Sequence, residues 1–115
     1  MHEIDLAQDI VNLALEQASR LRATRVLAVN LRVGQLAGVE AGALHAAYRE
    51  ASARTVLAGS RLAIIDVPLV VWCAVCLAEV TPVRINRLRC PRCDTAAGEI
   101  RRGRELEIAA LEVDA

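Results

Sequence analysis

The chain has 115 residues, which fits one domain or a small domain with a metal-held appendage. Hydrophobic residues make up 55%, but with no Phe, one Trp and one Tyr the core has to consist of aliphatic side chains and alanine. The formal net charge is zero, and no apolar run approaches the ~18 residues of a membrane-spanning helix, so we expect a soluble protein without a membrane partner.

The first segment is predicted to be an amphipathic helix. Its apolar residues recur at intervals of three and four, the spacing of one helix face: Ile4, Ala7, Val11, Ala14, Ala18 and Leu21, widened by Ile10 and Leu15. Asp5 and Gln8 have the spacing of a capping box, which predicts that the helix begins at about residue 6. Residues 1–3 would then form a short arm before it.

A strand and a second helix are predicted next. Apolar and polar residues alternate over residues 26–33, and two glycines within residues 34–38 end this strand. The second helix is predicted from about residue 40 to residue 56, before Gly59. Its expected inward residues are Ala43, Leu44, Ala47, Tyr48 and Ala51.

Two further strands flank a polar segment. Residues 62–67 are apolar on both faces apart from Asp66, which predicts a central strand that ends at Pro68. Residues 106–113 alternate again and predict a last strand after Gly103. The segment between these strands, residues 69–102, is too short and too polar to fold without a bound metal.

All four cysteines lie in that segment, as the pairs Cys73–Cys76 and Cys90–Cys93, with 13 residues between the pairs. This spacing is close to that of a zinc ribbon. Two disulfides would need an oxidising compartment, and a redox pair would need one C-x-x-C at a strand-to-helix junction. The first 24 residues carry acids and lack the apolar core of a secretory signal, so we favour zinc in a reducing cytoplasm. Four thiolates leave no open position for catalysis, which makes the site structural, with regulation by thiolate exchange as the alternative.

The order of these elements predicts an α+β fold. Two helices would pack on a small three-stranded mixed sheet, with a zinc-ribbon-like lobe inserted between two of its strands. We expect residues 1–68 and 103–115 to form the α/β domain and residues 69–102 to form the zinc-binding domain.

Positive charge concentrates in and beside the zinc-binding segment. Residues 69–104 hold seven arginines and three acids. A basic zinc ribbon can bind nucleic acid, but single-strand binders stack bases on aromatic rings, and Trp72 is the segment's only aromatic residue. Trp72 adjoins Cys73 and is expected to cover the metal site. Nucleic acid is therefore a weak candidate partner, and an acidic protein explains the charge equally well.

The amino terminus offers a second group of metal ligands. The amine of Met1 and the amide and imidazole nitrogens of His2 can form fused chelate rings, and Glu3 can supply a fourth donor through its amide or its carboxylate. A planar nitrogen set suits Ni(II) or Cu(II) better than zinc. A histidine at position 2 can equally be solvated and without function, and spacing alone leaves both interpretations open.

The remaining polar residues predict no catalytic arrangement. His45 lies within the second predicted helix, where a packing or surface role is favoured. Glu40 opens that helix as a first-turn acid favoured by the helix dipole, with a metal-ligand role as the alternative. None of the three serines stands in G-x-S-x-G, and no phosphate-binding glycine motif occurs. The sequence does not predict an enzyme.

Three motifs occur in a specific order along the chain: Met1-His2-Glu3 before a helix, Val33-Gly34-Gln35-Leu36-Ala37-Gly38-Val39-Glu40 at a strand end, and C-x-x-C-x13-C-P-x-C. Together they resemble the HypA/HybF family of hydrogenase nickel-incorporation metallochaperones, and the resemblance covers essentially the whole chain. The chain departs from that family in its second helix, which has His45-Ala46-Ala47-Tyr48 where phenylalanines are usual.

The resemblance implies a nickel site that contains His2 and Glu3, to which the Met1 amine can add a donor by the chelate chemistry above, and a zinc site formed by Cys73, Cys76, Cys90 and Cys93. Residues 1–68 and 103–115 would then be the nickel-binding domain. Nickel would be cargo, delivered to the large-subunit precursor of a [NiFe]-hydrogenase together with a GTPase of the HypB type, and some members also serve urease. The alternative is a zinc-ribbon adaptor that binds nucleic acid or an acidic protein partner.

Overall fold

The computed structural model describes residues 2–114, which contain two α-helices, one short 3-10 helix and six strands. In chain order these are α1 Glu3–Arg20, β1 Arg25–Gly34, the 3-10 helix Gln35–Ala37, α2 Ala41–Ser52, β2 Arg61–Val67, β3 Val70–Cys73, β4 Ala78–Val80, β5 Glu99–Arg102 and β6 Leu106–Asp114. The chain folds as two compact units. The first contains residues up to 32, residues 39–65 and residues from 107 onward; the second contains residues 33–38 and 66–106.

Helix α1 begins earlier than predicted. Its first residue is Glu3 and its N-cap residue is His2, whereas the sequence had predicted a start at about residue 6. Within residues 2–114 no side-chain hydrogen bond caps the helix, and the side chain of Gln8 donates to Asn12 Oδ1 over 2.9 Å. The capping box predicted from Asp5 and Gln8 is therefore wrong, and Glu3 belongs to the helix and not to an arm before it.

The two helices of the first unit pack against each other. The predicted face of α1 is buried along its centre, at Ala7, Ile10, Val11, Ala14 and Ala18. Helix α2 buries Leu44, Tyr48 and Ser52, one residue per turn, and the Tyr48 hydroxyl shares a hydrogen bond of 2.5 Å with Ser60 Oγ. Ala43, predicted to point inward, is exposed. Among the described residues neither helix is long and apolar enough to cross a membrane.

Strand β1 is the central strand of a three-stranded mixed sheet with the order β2-β1-β6. Strand β1 runs antiparallel to β6, because Thr24 N donates to Asp114 O beside one end and Gly34 N donates to Glu105 O at the other. The prediction that residues 62–67 form a central strand is wrong, since β2 lies at an edge of this sheet and leaves Ile65 44% exposed. Two helices with this sheet confirm the predicted α+β fold.

The second unit contains a small antiparallel sheet, β4-β3-β5, which no pattern in the sequence predicted. One face of the sheet contributes to a buried cluster of Leu69, Val71, Cys73, Val80, Cys90 and Ala97. Side chains alternate along a strand, so Trp72 lies on the face opposite Val71 and Cys73. There the guanidinium carbon of Arg101 lies 4.7 Å from the centre of the Trp72 ring. Trp72 therefore contacts Arg101. The expectation that it covers the cysteines is wrong.

The glycine-containing motif after β1 connects several parts of the second unit. A Cβ atom added to Gly34 would lie 2.2 Å from the carbonyl carbon and oxygen of Gly103, so this approach requires glycine. The Gln35 side chain accepts a hydrogen bond from Leu69 N over 3.0 Å. Leu36 packs against the buried cluster, and its N–H donates to Gly103 O over 2.8 Å. The motif thus holds together segments that are far apart in the sequence.

Candidate metal centres

The sulfur atoms of Cys73, Cys76, Cys90 and Cys93 all lie within 4.8 Å of one another. Cys73 Sγ is 3.5 Å from Cys93 Sγ, and Cys76 Sγ is 3.9 Å from Cys90 Sγ. A zinc ion with four sulfur ligands at about 2.3 Å places them roughly 3.8 Å apart at the corners of a tetrahedron. A disulfide would need about 2.05 Å, and all four are free thiols. The donor set fits a closed tetrathiolate metal site.

Both C-x-x-C pairs end in the same backbone conformation. The residue after the second cysteine is left-handed in each pair, with φ 51° at Leu77 and φ 60° at Asp94. Such a residue costs roughly 1–2 kcal/mol when it is not glycine. In the first pair the N–H of Cys76 also donates to Cys73 Sγ over 3.3 Å. Two equivalent turns therefore direct their sulfur atoms toward one centre.

The four thiols differ in exposure and acidity. Cys73 and Cys90 are buried, whereas Cys93 is exposed. The pKa of Cys93 is lowered to about 6, chiefly because the Thr95 side chain, 3.2 Å away, hydrogen-bonds to its thiolate. The pKa of Cys76 is raised to about 12, chiefly because of its hydrogen bond with Cys93. Metal binding releases the protons that these sulfurs retain, so occupancy of the site depends on pH.

His2 is exposed at the beginning of α1, where it has the extended backbone of an N-cap residue (φ −86°, ψ 103°). Its carbonyl oxygen accepts a hydrogen bond from Leu6 N over 3.1 Å. The first N–H groups of a helix have no acceptor within that helix, so the amides of His2 and Glu3 are available without breaking a helical hydrogen bond. Met1, whose amine was predicted as a further ligand, lies outside the described residues.

Glu3 connects the beginnings of the two helices. Its carboxylate accepts a hydrogen bond from Glu40 N over 3.3 Å. Glu40 is the N-cap residue of α2, and its own carboxylate accepts hydrogen bonds from Gly42 N (3.2 Å) and Ala43 N. Glu40 therefore caps α2 and is not a residue of its first turn. A cavity of about 440 Å³ borders His2 and Glu3 and extends along the exposed side of α2.

The structure places His2 and Glu3 together and leaves His45 elsewhere. His45 is exposed on α2 and borders a different cavity, with Tyr48 and Ser60. The sequence did not predict the hydrogen bond of Gln35 with Leu69 or that of Glu40 with Glu3. Gln35 and Glu40 belong to the motif at the end of β1, but no periodicity in the sequence shows which groups they bind.

A family model described as "Hydrogenase/urease nickel incorporation, metallochaperone, hypA" matches residues 1–113. The chain belongs to the HypA family. It is 48% identical over 112 residues to the hydrogenase maturation factor HypA of Chloroflexus aurantiacus, covering 97% of this chain and 98% of that protein. It is 37% identical to the HypA of Azotobacter chroococcum over 114 residues, 99% and 100% of the two chains.

The fold is similar to the solution structure of the Ni metallochaperone HypA from Helicobacter pylori. The TM-score is 0.70 with 21% identity, and the match covers 100% of this chain and 99% of that one. The HypA family serves nickel incorporation into hydrogenase and urease as a metallochaperone, so the predictions of this family and of a protein that is not an enzyme are confirmed. The ligands of nickel and zinc in this chain remain predictions.

Proposed function

We propose that this chain binds Ni(II) at its amino terminus and delivers it for the maturation of a [NiFe]-hydrogenase, with urease as a second class of client. The observation that supports this most directly is the position of His2. It is exposed at a helix start whose amide groups have no helical acceptor, and it precedes Glu3, whose carboxylate lies at the start of α2.

The proposed nickel ligands are the Met1 amine, the amide and imidazole nitrogens of His2, and a Glu3 donor. Nitrogen ligands in one plane suit Ni(II) and disfavour the tetrahedral geometry of zinc. Because His2 is exposed, an acceptor can replace these donors one at a time, and nickel is transferred by ligand exchange. The proposed partners are a GTPase of the HypB type and the precursor of the hydrogenase large subunit.

Cys73, Cys76, Cys90 and Cys93 are the proposed ligands of a structural Zn(II). The separations between their sulfur atoms fit a tetrahedral ion, and four thiolates leave no coordination position for cargo. The two metal sites therefore have different roles. Zinc stabilises the second unit and stays bound, whereas nickel enters and leaves at the amino terminus.

A nickel titration of the untagged, zinc-loaded protein tests this proposal. We expect the wild type to bind one nickel ion per chain and His2→Ala to bind at least ~100-fold more weakly, since it loses the imidazole of a chelate. His45→Ala is the matched control, because it removes the exposed histidine that lies outside the amino-terminal site. Zinc content should be the same in all three proteins.

A fourth protein, Glu3→Gln, distinguishes the donors at position 3. It keeps the amide nitrogen and removes the carboxylate, so retained affinity identifies the amide as the ligand. The proposed nickel site is wrong if His2→Ala binds nickel like the wild type, or if His45→Ala loses as much affinity as His2→Ala.

A further inference from the structure

The seven arginines of residues 69–104 divide into three that form an ion pair and four others. Each acid of residues 69–104 pairs with a different arginine: Glu79 with Arg102 (3.0 Å), Asp94 with Arg89 (3.1 Å) and Glu99 with Arg101 (3.6 Å). Among the described residues, the arginines of this segment without an ion pair are Arg84, Arg87, Arg92 and Arg104. The excess positive charge of residues 69–104 therefore lies on these four side chains.

Two of the four converge on one cavity. Arg84 and Arg87 are opposite each other as antiparallel bridge partners, and Arg87 N donates to Arg84 O over 3.3 Å. Together with Arg89 they line a cavity of about 290 Å³. Like charges directly opposite each other destabilise a strand pair. An anion bound by both guanidinium groups would offset this repulsion, because charge-assisted hydrogen bonds to arginine are strong and often bidentate.

The cavity combines positive charge with apolar surface. Val83 and Pro91 also line it, Val83 is 85% exposed, and the neighbouring Ile85 is 46% exposed. Asp94 lines the cavity and pairs with Arg89, so three arginines against one aspartate leave an excess of two positive charges. A ligand with two carboxylates and adjacent apolar side chains would complement this surface.

The buried cluster around the cysteines contacts the cavity. Cys90 lines the cavity and belongs to the buried cluster, and Leu88 packs against the same cluster. Backbone hydrogen bonds join residues 88–90 to residues 95–97, because Ala97 N donates to Leu88 O and Cys90 N donates to Thr95 O, both over 2.9 Å. The arginines therefore lie on a segment that hydrogen bonds and packing tie to the buried cluster.

We propose that this arginine pocket, lined by Val83, Arg84, Arg87, Arg89 and Pro91, binds an acidic segment of a partner protein. Two carboxylates contact Arg84 and Arg87, and apolar side chains of the segment cover Val83. Nucleic acid fits less well, because none of the described residues that line the pocket is aromatic and Arg101 already lies over the Trp72 ring. This site is separate from the proposed nickel ligands and does not depend on them.

Fluorescence anisotropy with a short labelled peptide of glutamate and leucine tests this inference on the zinc-loaded chain at low salt. Arg84→Gln/Arg87→Gln should weaken binding at least ~10-fold, since each replacement removes a charge-assisted hydrogen bond to a carboxylate. The matched control is Arg92→Gln/Arg104→Gln, which removes the same charge from arginines that do not line the pocket. This control should weaken binding less than about threefold, by the loss of long-range attraction alone.

Zinc content and thermal unfolding verify that each variant is folded, and His2→Ala should bind the peptide like the wild type even if the nickel proposal fails. Equal weakening of peptide binding by both double variants would assign the binding to general surface charge and overturn the proposal that the arginine pocket binds the peptide. A wild type that does not bind the peptide would also overturn it. If inorganic phosphate or oligothymidine binds more tightly than the peptide and depends on Arg84 and Arg87, the ligand is not an acidic protein.

Discussion

Replacing Gly34 by alanine tests the close contact between the end of β1 and Gly103. The added methyl group would lie 2.2 Å from the carbonyl carbon and oxygen of Gly103 and 2.6 Å from Arg104 N. Ordinary contacts of a Cβ atom begin at 3.4 Å, and all three of these neighbours are backbone atoms that cannot rotate away. The two backbone segments therefore have to separate by about 1 Å.

The expected loss of stability follows from what that separation disturbs. Two backbone hydrogen bonds join these segments, from Gly34 N to Glu105 O (2.7 Å) and from Leu36 N to Gly103 O (2.8 Å). Losing each one lowers the free energy of unfolding by about 0.5–1.5 kcal/mol, and overpacking adds about 1–3 kcal/mol. The sum is about 4 kcal/mol, which for a chain of this size corresponds to a Tm lower by roughly 10–25 °C.

Differential scanning calorimetry of the zinc-loaded protein measures this effect, with Gly98→Ala as the matched control. Gly98 lies in the same unit, has no atom within 4 Å of an added Cβ and has no left-handed φ. Its replacement should leave stability within ~1 kcal/mol of the wild type. A Gly34→Ala protein that melts within a few degrees of Gly98→Ala would refute the steric reasoning.

Two further predictions concern the cap of α2 and the metal of the second unit. Glu40→Ala removes the capping carboxylate and should lower the free energy of unfolding, measured by urea denaturation, by about 1 kcal/mol. Glu50→Ala, on the exposed side of the same helix, is the control and should have little effect. Equal losses of stability in the two variants would contradict the capping role. Removing zinc with a strong chelator, or replacing Cys76 by serine, should unfold the second unit, because structural zinc contributes ~10–16 kcal/mol to comparable folds. Trp72, the single tryptophan, should report this as a shift in fluorescence while the circular dichroism signal of α1 and α2 persists, and an unchanged spectrum would contradict a structural role of the metal.

Features with a strong local signal were predictable from the sequence. The spacing of the four cysteines predicted a cluster, and their sulfur atoms do converge. The interval of three and four residues predicted the buried centre of α1, because a helix places such residues on one face whatever they pack against. Both features depend only on residue type and separation along the chain.

Features that depend on distant neighbours were not predictable. Residues 62–67 are as apolar as a central strand, but their sequence does not show that only one side of β2 would find a partner. The strands beside the cysteines have four, three and four residues, too short for a pattern of alternation to be visible. The pairing of Arg84 with Arg87 arises from a turn in the second unit, and composition showed only that the region is basic.

The hydrogen bond between Glu3 and Glu40 has a thermodynamic consequence for anything that binds at the start of α1. A cation that takes the Glu3 carboxylate competes with the Glu40 N–H, whose hydrogen bond contributes about 0.5–1.5 kcal/mol. Linkage is reciprocal. A change that stabilises the start of α2 through this hydrogen bond therefore lowers the affinity for the cation by the same factor, about 2- to 10-fold. The N–H of Glu40, the N-cap residue of α2, is thereby a competitor for the Glu3 carboxylate, and its strength depends on how firmly the start of α2 is held.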